Sequence, residues 1–224
     1  MSHWLLRAET TLVALARRRL AVGILVMMPI AFYLVTHDSV GRSVRALAFG
    51  VSWAVSTIAF FAAVSAREIE PRLWLAGWTR TDLMIGRLIG LGGAVLALTG
   101  GFGLLVALDQ EVRNEWGVAL DYAVTGAVAV AVGTAVGALF DREMEGTLIL
   151  FFLAGMQAIA NPFDAWSRVL PFWSSRELGT WAVDGPETGS LADGLVHASL
   201  AIVVCGGIVG LAEIARQRPA LRSG

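Results

Sequence analysis

Residues 67–87 read REIEPRLWLAGWTRTDLMIGR, a charged stretch with two tryptophans set between two apolar runs, 46–66 and 88–108. Each run, wound into a helix at ~1.5 Å per residue, is long enough to cross a hydrocarbon core of roughly 30 Å. The stretch carries four arginines, and basic residues accumulate in cytoplasmic segments, so it is expected to face the cytoplasm. A plain connection between neighbouring helices needs about 2–8 residues. A longer insert with a helical period of its own points to a surface that meets another molecule.

The surrounding sequence repeats the apolar pattern. The chain is 56% hydrophobic and 16% charged, with a mean hydropathy of +0.68, which excludes an average soluble domain. The apolar residues come in blocks rather than on one helical face, and six blocks read as spans: about 20–36, 46–66, 88–108, 119–140, 147–160 and 195–212. The fifth is short and closed by Asn161-Pro162, and the polar remainder to about residue 194 supplies no further full span. The expected fold class is an all-α integral membrane protein, a six-helix domain over 20–224 preceded by an amphipathic interfacial helix over 1–19. The arginine of the first 36 residues followed by an apolar run imitates a signal sequence. No small-residue cleavage site follows, so the segment reads as the first retained helix.

Arginine placement sets the orientation. With both ends inside, segments 1–19, 67–87, 141–146 and 213–224 hold 4, 4, 1 and 3 arginines, against 2, 1 and 2 in 37–45, 109–118 and 161–194. Twelve against five favours N-in and C-in. All 17 basic residues are arginine, so no Gly-x-x-x-x-Gly-Lys phosphate loop exists here, and any ATP must be bound by another chain. A lysine-free chain rich in Ala, Gly, Val and Arg fits GC-rich bacterial coding, hence a bacterial plasma membrane. The lone Cys205 supports neither a disulfide framework nor a zinc set.

Before the first span, Trp4, Leu5, Leu6, Ala8, Leu12, Val13, Leu15 and Ala16 share a broad helical face and Arg7, Thr10, Thr11, Arg17 and Arg18 lie opposite, with Glu9 and Arg19 breaking the pattern. The pattern fits a helix lying in the interface, or a plain positive-inside anchor. In the insert, Pro71 suits a first helical turn, with Glu68 and Glu70 near its positive end. Leu73, Trp74 and Trp78 recur at helical spacing, Gly77 can end the turn, and Thr79 or Thr81 can cap a second helix running through Asp82 and Arg87 into the third span. Helix, break, helix parallel to the membrane is one reading; a snorkelling loop with its tryptophans at headgroup level is the other.

Gly86-x-x-x-Gly90, Gly133-x-x-x-Gly137 and Gly206-x-x-x-Gly210, with the pairs Gly92-Gly93 and Gly100-Gly101, suit close helix packing inside the bundle. Segments 67–75 and 142–150 share Arg-Glu-x-Glu-x-x-Leu-x-Leu, by duplication or by convergence at an inner boundary. The aromatic stretch from Asn161-Pro162-Phe163 to Phe172-Trp173 suits an outer re-entrant-like hairpin within 161–194.

Catalytic patterns are sparse. His3, His37 and His197 stand far apart and outside any His-Glu-x-x-His motif, and no Gly-x-Ser-x-Gly elbow occurs. The polar groups in or near spans are Asp121, Gln157, Asn161 and His197, and such groups are functional candidates because leaving them unpaired is costly. Gln157, Asn161 and His197 are candidates for a pathway or gate, and Asp121 falls at an outer span boundary, within reach of water.

The layout resembles the ABC-2-type transporter permeases, the membrane subunits of bacterial ABC exporters. The resemblance rests on the N-terminal helix, the six spans, and the order Arg67-Glu68-Ile69-Glu70, Leu73-Trp74-Leu75-Ala76, Trp78-Thr79-Arg80 and Gly86-Arg87-Leu88. Asp141-Arg142-Glu143 through Leu148 resembles the family's second cytoplasmic junction, and 161–180 its outer hairpin; Pro71-Arg72 departs from the frequent Gly-Thr. The resemblance implies that 67–87 is a coupling helix docking on a separate ATP-binding cassette ATPase through Arg67, Glu68, Glu70, Arg72, Trp74, Trp78 and Arg80. It implies no enzyme activity and no cofactor in this chain, ATP and Mg being bound by the partner. It further implies a second permease copy or paralogue, contact with membrane lipids, no nucleic acid, and export of a substrate that the apolar spans make amphiphilic or hydrophobic. A haem-export-like permease of cytochrome c maturation, a stand-alone channel or scaffold, and an intramembrane enzyme are the other classes compatible with the residues.

Overall fold

The computed structural model describes residues 3–17, 19–160 and 164–217, with side chains over 4–13, 22–67, 69–70, 72–79, 81–160 and 164–216. The described chain forms eight α-helices: α1 His3–Arg17, α2 Arg19–Val35, α3 Val40–Leu75, α4 Arg80–Asp109, α5 Glu115–Leu139, α6 Glu143–Ile159, α7 Trp173–Val183 and α8 Leu191–Gln217, with a 3-10 turn at Ala165–Val169. Four are long and apolar enough to cross a membrane: Val40–Arg67, Thr81–Asp109, Glu115–Leu139 and Leu191–Arg216. The helices at the first and fifth blocks, α2 and α6, have 17 residues each, or ~26 Å, somewhat less than the ~30 Å core.

The centre of the bundle is the α3–α5 pair. Val44, Leu47, Val51 and Val55 of α3 and Val118, Tyr122, Val128 and Val132 of α5 are buried in one core. The Tyr122 hydroxyl donates to the Val44 carbonyl at 3.2 Å, satisfying its one polar atom inside that core. Helices α2, α6 and α7 pack on α3, α8 packs on α5 and α7, and α1 lies against α4. Burial of the apolar windows falls from 72% in α3 and 61% in α5 to 28% in α4 and 11% in α8. Water is a poor solvent for so much apolar helix surface, whereas lipid accepts it without cost.

Small residues decide how near the helices come. A Cβ on Gly133 would fall on the carbonyl of Ser56, so α3 and α5 cross backbone to backbone there. Gly86 and Gly90 seat α4 against α1 in the same way. Gly137 likewise lies against Ala63 of α3, whereas the remaining glycine expectations do not hold. Nothing lies within 4 Å of a Cβ at Gly92, Gly93, Gly100, Gly101, Gly206, Gly207 or Gly210, because these positions sit on faces of α4 and α8 turned away from the described neighbours.

The insert also differs from expectation in one respect. No helix begins at position 71; α3 continues without interruption from the core through 71 to Leu75. Its 36 residues make one helix of ~54 Å. The turn that follows is as read. The Gly77 N–H donates to the Trp74 carbonyl at 3.0 Å and the Trp78 N–H to the Leu73 carbonyl at 3.1 Å, with Gly77 at φ 88°, which a residue bearing Cβ resists. Thr79 Oγ1 accepts from the Asp82 N–H at 3.1 Å and donates to Asp82 Oδ2 at 2.6 Å, opening α4. The two Arg-Glu-x-Glu segments are not structural equivalents, since the first closes α3 and the second opens α6.

Candidate functional site

At the α3–α4 turn the charged residues of the insert divide into two groups. Glu70 is held between Arg7 of α1 at 3.5 Å and Arg87 of α4 at 3.3 Å, and the two arginine side chains are only 7% and 14% exposed. This carboxylate therefore ties α1, α3 and α4 together. Burial, the largest influence, lowers the pKa of Arg7; Glu70 opposes it and Arg87 adds to it. Arg67 pairs with Asp141 and donates to the Gly137 carbonyl, which joins α3 to the end of α5. Arg216 donates to the neighbouring Ala138 carbonyl, bringing α8 to the same junction. These arginines cap carbonyls at the C-terminal end of a helix, where positive charge is favoured.

The second group faces outward. Arg72 is exposed, Trp74 is 48% exposed and Leu75 92%. Trp78 is half-buried and, with Arg7, Phe61, Ile69 and Leu73, lines a cavity of about 660 Å³ between α1, α3 and α4. The side chains of Glu68 and Arg80 lie outside the described ones. The predicted docking residues thus lie along one turn, but only Arg72 and Trp74 among those described form its exposed tip.

The polar span residues gather at the other end of the bundle without meeting in one cluster. Asp121 is not at a hydrated boundary: it is fully buried against α7, because Gly179 lets its carboxylate approach to 3.1 Å of a notional Cβ there. Thr125 Oγ1 donates to Asp121 Oδ1 at 3.1 Å, and the buried Ser175 of α7 is a second hydroxyl partner of the same carboxylate. His197 Nε2 donates to the Arg168 carbonyl at 2.9 Å, its ring stands 5.1 Å from that of Trp173, and Arg168 lies over the same indole at 5.6 Å. Gln157 lines a separate cavity between α2, α3, α6 and α7. Asn161 lies outside the described residues. Among the described residues no group of three or more His, Cys, Asp or Glu side chains is placed to hold a metal.

Two features of this end escape a reading by segments. Tyr33, His37 and Gln110 converge on Asp109, with His37 Nε2 at 2.8 Å, tying the α2–α3 turn to the end of α4. Arg45 pairs with Asp184 at 2.9 Å across 139 residues. Arg42, Arg45 and Arg176 come together here although they belong to segments that charge counting treats as background. Their presence on the face where arginine is expected to be scarce was the available signal.

No protein-family model matches this chain, and no curated protein matches it.

Proposed function

We propose that the chain is the membrane subunit of an ATP-driven exporter of the ABC-2 type, working with a separate ATPase that binds ATP and Mg. The observation that carries this reading is helix α3, which runs unbroken from the packed centre of the bundle to the exposed Arg72–Trp74–Leu75 tip. A partner gripping that tip pulls on the same helix that forms half of the core, so its movement shifts the population of bundle states. The Glu70 cluster conveys the same displacement to α1.

In this reading α2 and α6 complete six crossings of a bacterial plasma membrane, and the α3–α4 turn, α1 and the chain ends face the cytoplasm. Trp74 is the docking anchor, as tryptophan is at many interfaces, with Arg72 beside it. The internal pairs of Arg67 and Glu70 favour a role in holding the tip rather than touching the partner. Two permease copies, or a copy and a paralogue, form the pathway for an amphiphilic or hydrophobic substrate.

The test is purification of the tagged protein from its native membrane in mild detergent, with stoichiometry by mass spectrometry. A near-equal amount of an ATP-binding subunit, lost in Trp74→Ala while the permease keeps its helical content, is the expected result. An oligomer without ATPase, under conditions that preserve comparable transporter complexes, would overturn the reading.

A further inference from the structure

The cavity that holds Gln157 measures about 770 Å³, within the ~300–1,000 Å³ range of small-molecule sites. Phe32, Phe49 and Phe172 supply its apolar lining, and Arg42, Arg45 and Arg176 its charge; none of its lining residues is acidic. Asp184 neutralises Arg45 at 2.9 Å. Arg42 and Arg176 make no ion pair among the described residues, and Arg176 reaches only the Ala160 carbonyl at 3.4 Å. Burial lowers the pKa of Arg176, and the nearby Arg45 adds to this while Glu177 opposes it. Positive charges are therefore crowded beside aromatic surface, with Asp184 paired to Arg45 and Glu177 near Arg176.

The Gln157 amide sharpens the point. Both Nε2 and Oε1 are shielded from solvent and have no hydrogen-bond partner among the described residues. Buried polar atoms in native proteins are paired as a rule, so an amide orphaned at a cavity wall marks a place where something supplies the partner. Guanidinium groups bind phosphate oxygens through paired N–H donors, and the aromatic lining suits an acyl chain.

We propose that this cavity binds an anionic amphiphile, its phosphate head against Arg42 and Arg176 with Gln157 completing the contacts and its chain along Phe32 and Phe49. The assignment is independent of the exporter reading, since it requires no ATPase and no transport.

The probes are dioleoyl phosphatidylglycerol and dioleoyl phosphatidylcholine, titrated onto the purified full-length protein in mild detergent and followed by native mass spectrometry. The anionic lipid is expected to bind at least about tenfold more tightly, the scale of one to two guanidinium–phosphate contacts near a membrane. Arg42→Gln with Arg176→Gln should abolish that preference, and the corresponding lysine pair should retain part of it. Equal binding of the two lipids by the unmodified protein would overturn the proposal, as would an undiminished preference in a glutamine pair that keeps its helical circular dichroism. Should the pair fail to fold, Arg42→Gln alone decides, since Arg42 is exposed: a loss of at least about threefold supports the site and no change refutes it. Inorganic phosphate is the arm that separates sources. Displacement of the lipid by equimolar phosphate would mean a free-anion site and sink the amphiphile assignment; persistence of the lipid in millimolar phosphate supports it.

Discussion

Replacing Gly86 by alanine tests whether α1 is seated on α4 by backbone contact. The new Cβ would stand 2.6 Å from the Trp4 carbonyl oxygen and 2.5 Å from Arg7 Cβ, where ordinary contact begins near 3.4 Å. The carbonyl must withdraw by 3.4 − 2.6 = 0.8 Å, and since it belongs to helix backbone, the whole of α1 must move with it. Overpacking of this kind costs about 1–3 kcal/mol. Alanine also favours a helix over glycine by up to ~1 kcal/mol, so the informative comparison is Gly93→Ala on the same helix. That position has nothing within 4 Å and gains the same helical preference without the clash. The difference between the variants isolates the contact. It should appear as about 5- to 150-fold faster amide exchange in α1 for Gly86→Ala relative to Gly93→Ala, measured by mass spectrometry in micelles. Equal exchange of α1 in the two variants would show that α1 is not held by this crossing.

Three further outcomes follow from the same geometry. Glu70→Gln leaves Arg7 and Arg87, both largely buried, facing each other without their shared carboxylate; a loss of about 2–4 kcal/mol in detergent-titrated unfolding is expected, and one below ~0.5 kcal/mol would make the cluster peripheral. Arg67→Ala should cost about 1–3 kcal/mol because the Gly137 carbonyl loses a charged donor. Asp141→Asn should cost under ~1 kcal/mol, since Asp141 is 85% exposed, and equal losses would contradict this division. Gln157→Leu, measured in lipid-depleted detergent, should raise stability by about 1–2 kcal/mol by removing two orphaned polar atoms; a loss would mean that the amide is already satisfied.

How far each feature was legible depends on the range of the physics behind it. The membrane class, the long apolar helices, the Gly77 turn and the Thr79 cap could all be read in the sequence. Hydropathy sums along one segment, while a positive-φ glycine or a capping hydroxyl acts on backbone within a turn of itself. Position 71, a proline, looks locally like a helix start, yet α3 runs through it to Leu75.

What the sequence determined by itself, then, is local: which stretches are helical, which are apolar enough for lipid, and where the insert turns. The tertiary structure alone decided which arginines are clamps and which face a cavity, which glycines are crossings and which lie open, and that Asp121 is buried. Arg7 meets Glu70 across 63 positions and Arg45 meets Asp184 across 139. Such pairings depend on the rotation of each helix about its axis, about 100° per residue, which every packed neighbour sets jointly and no spacing in a single segment encodes.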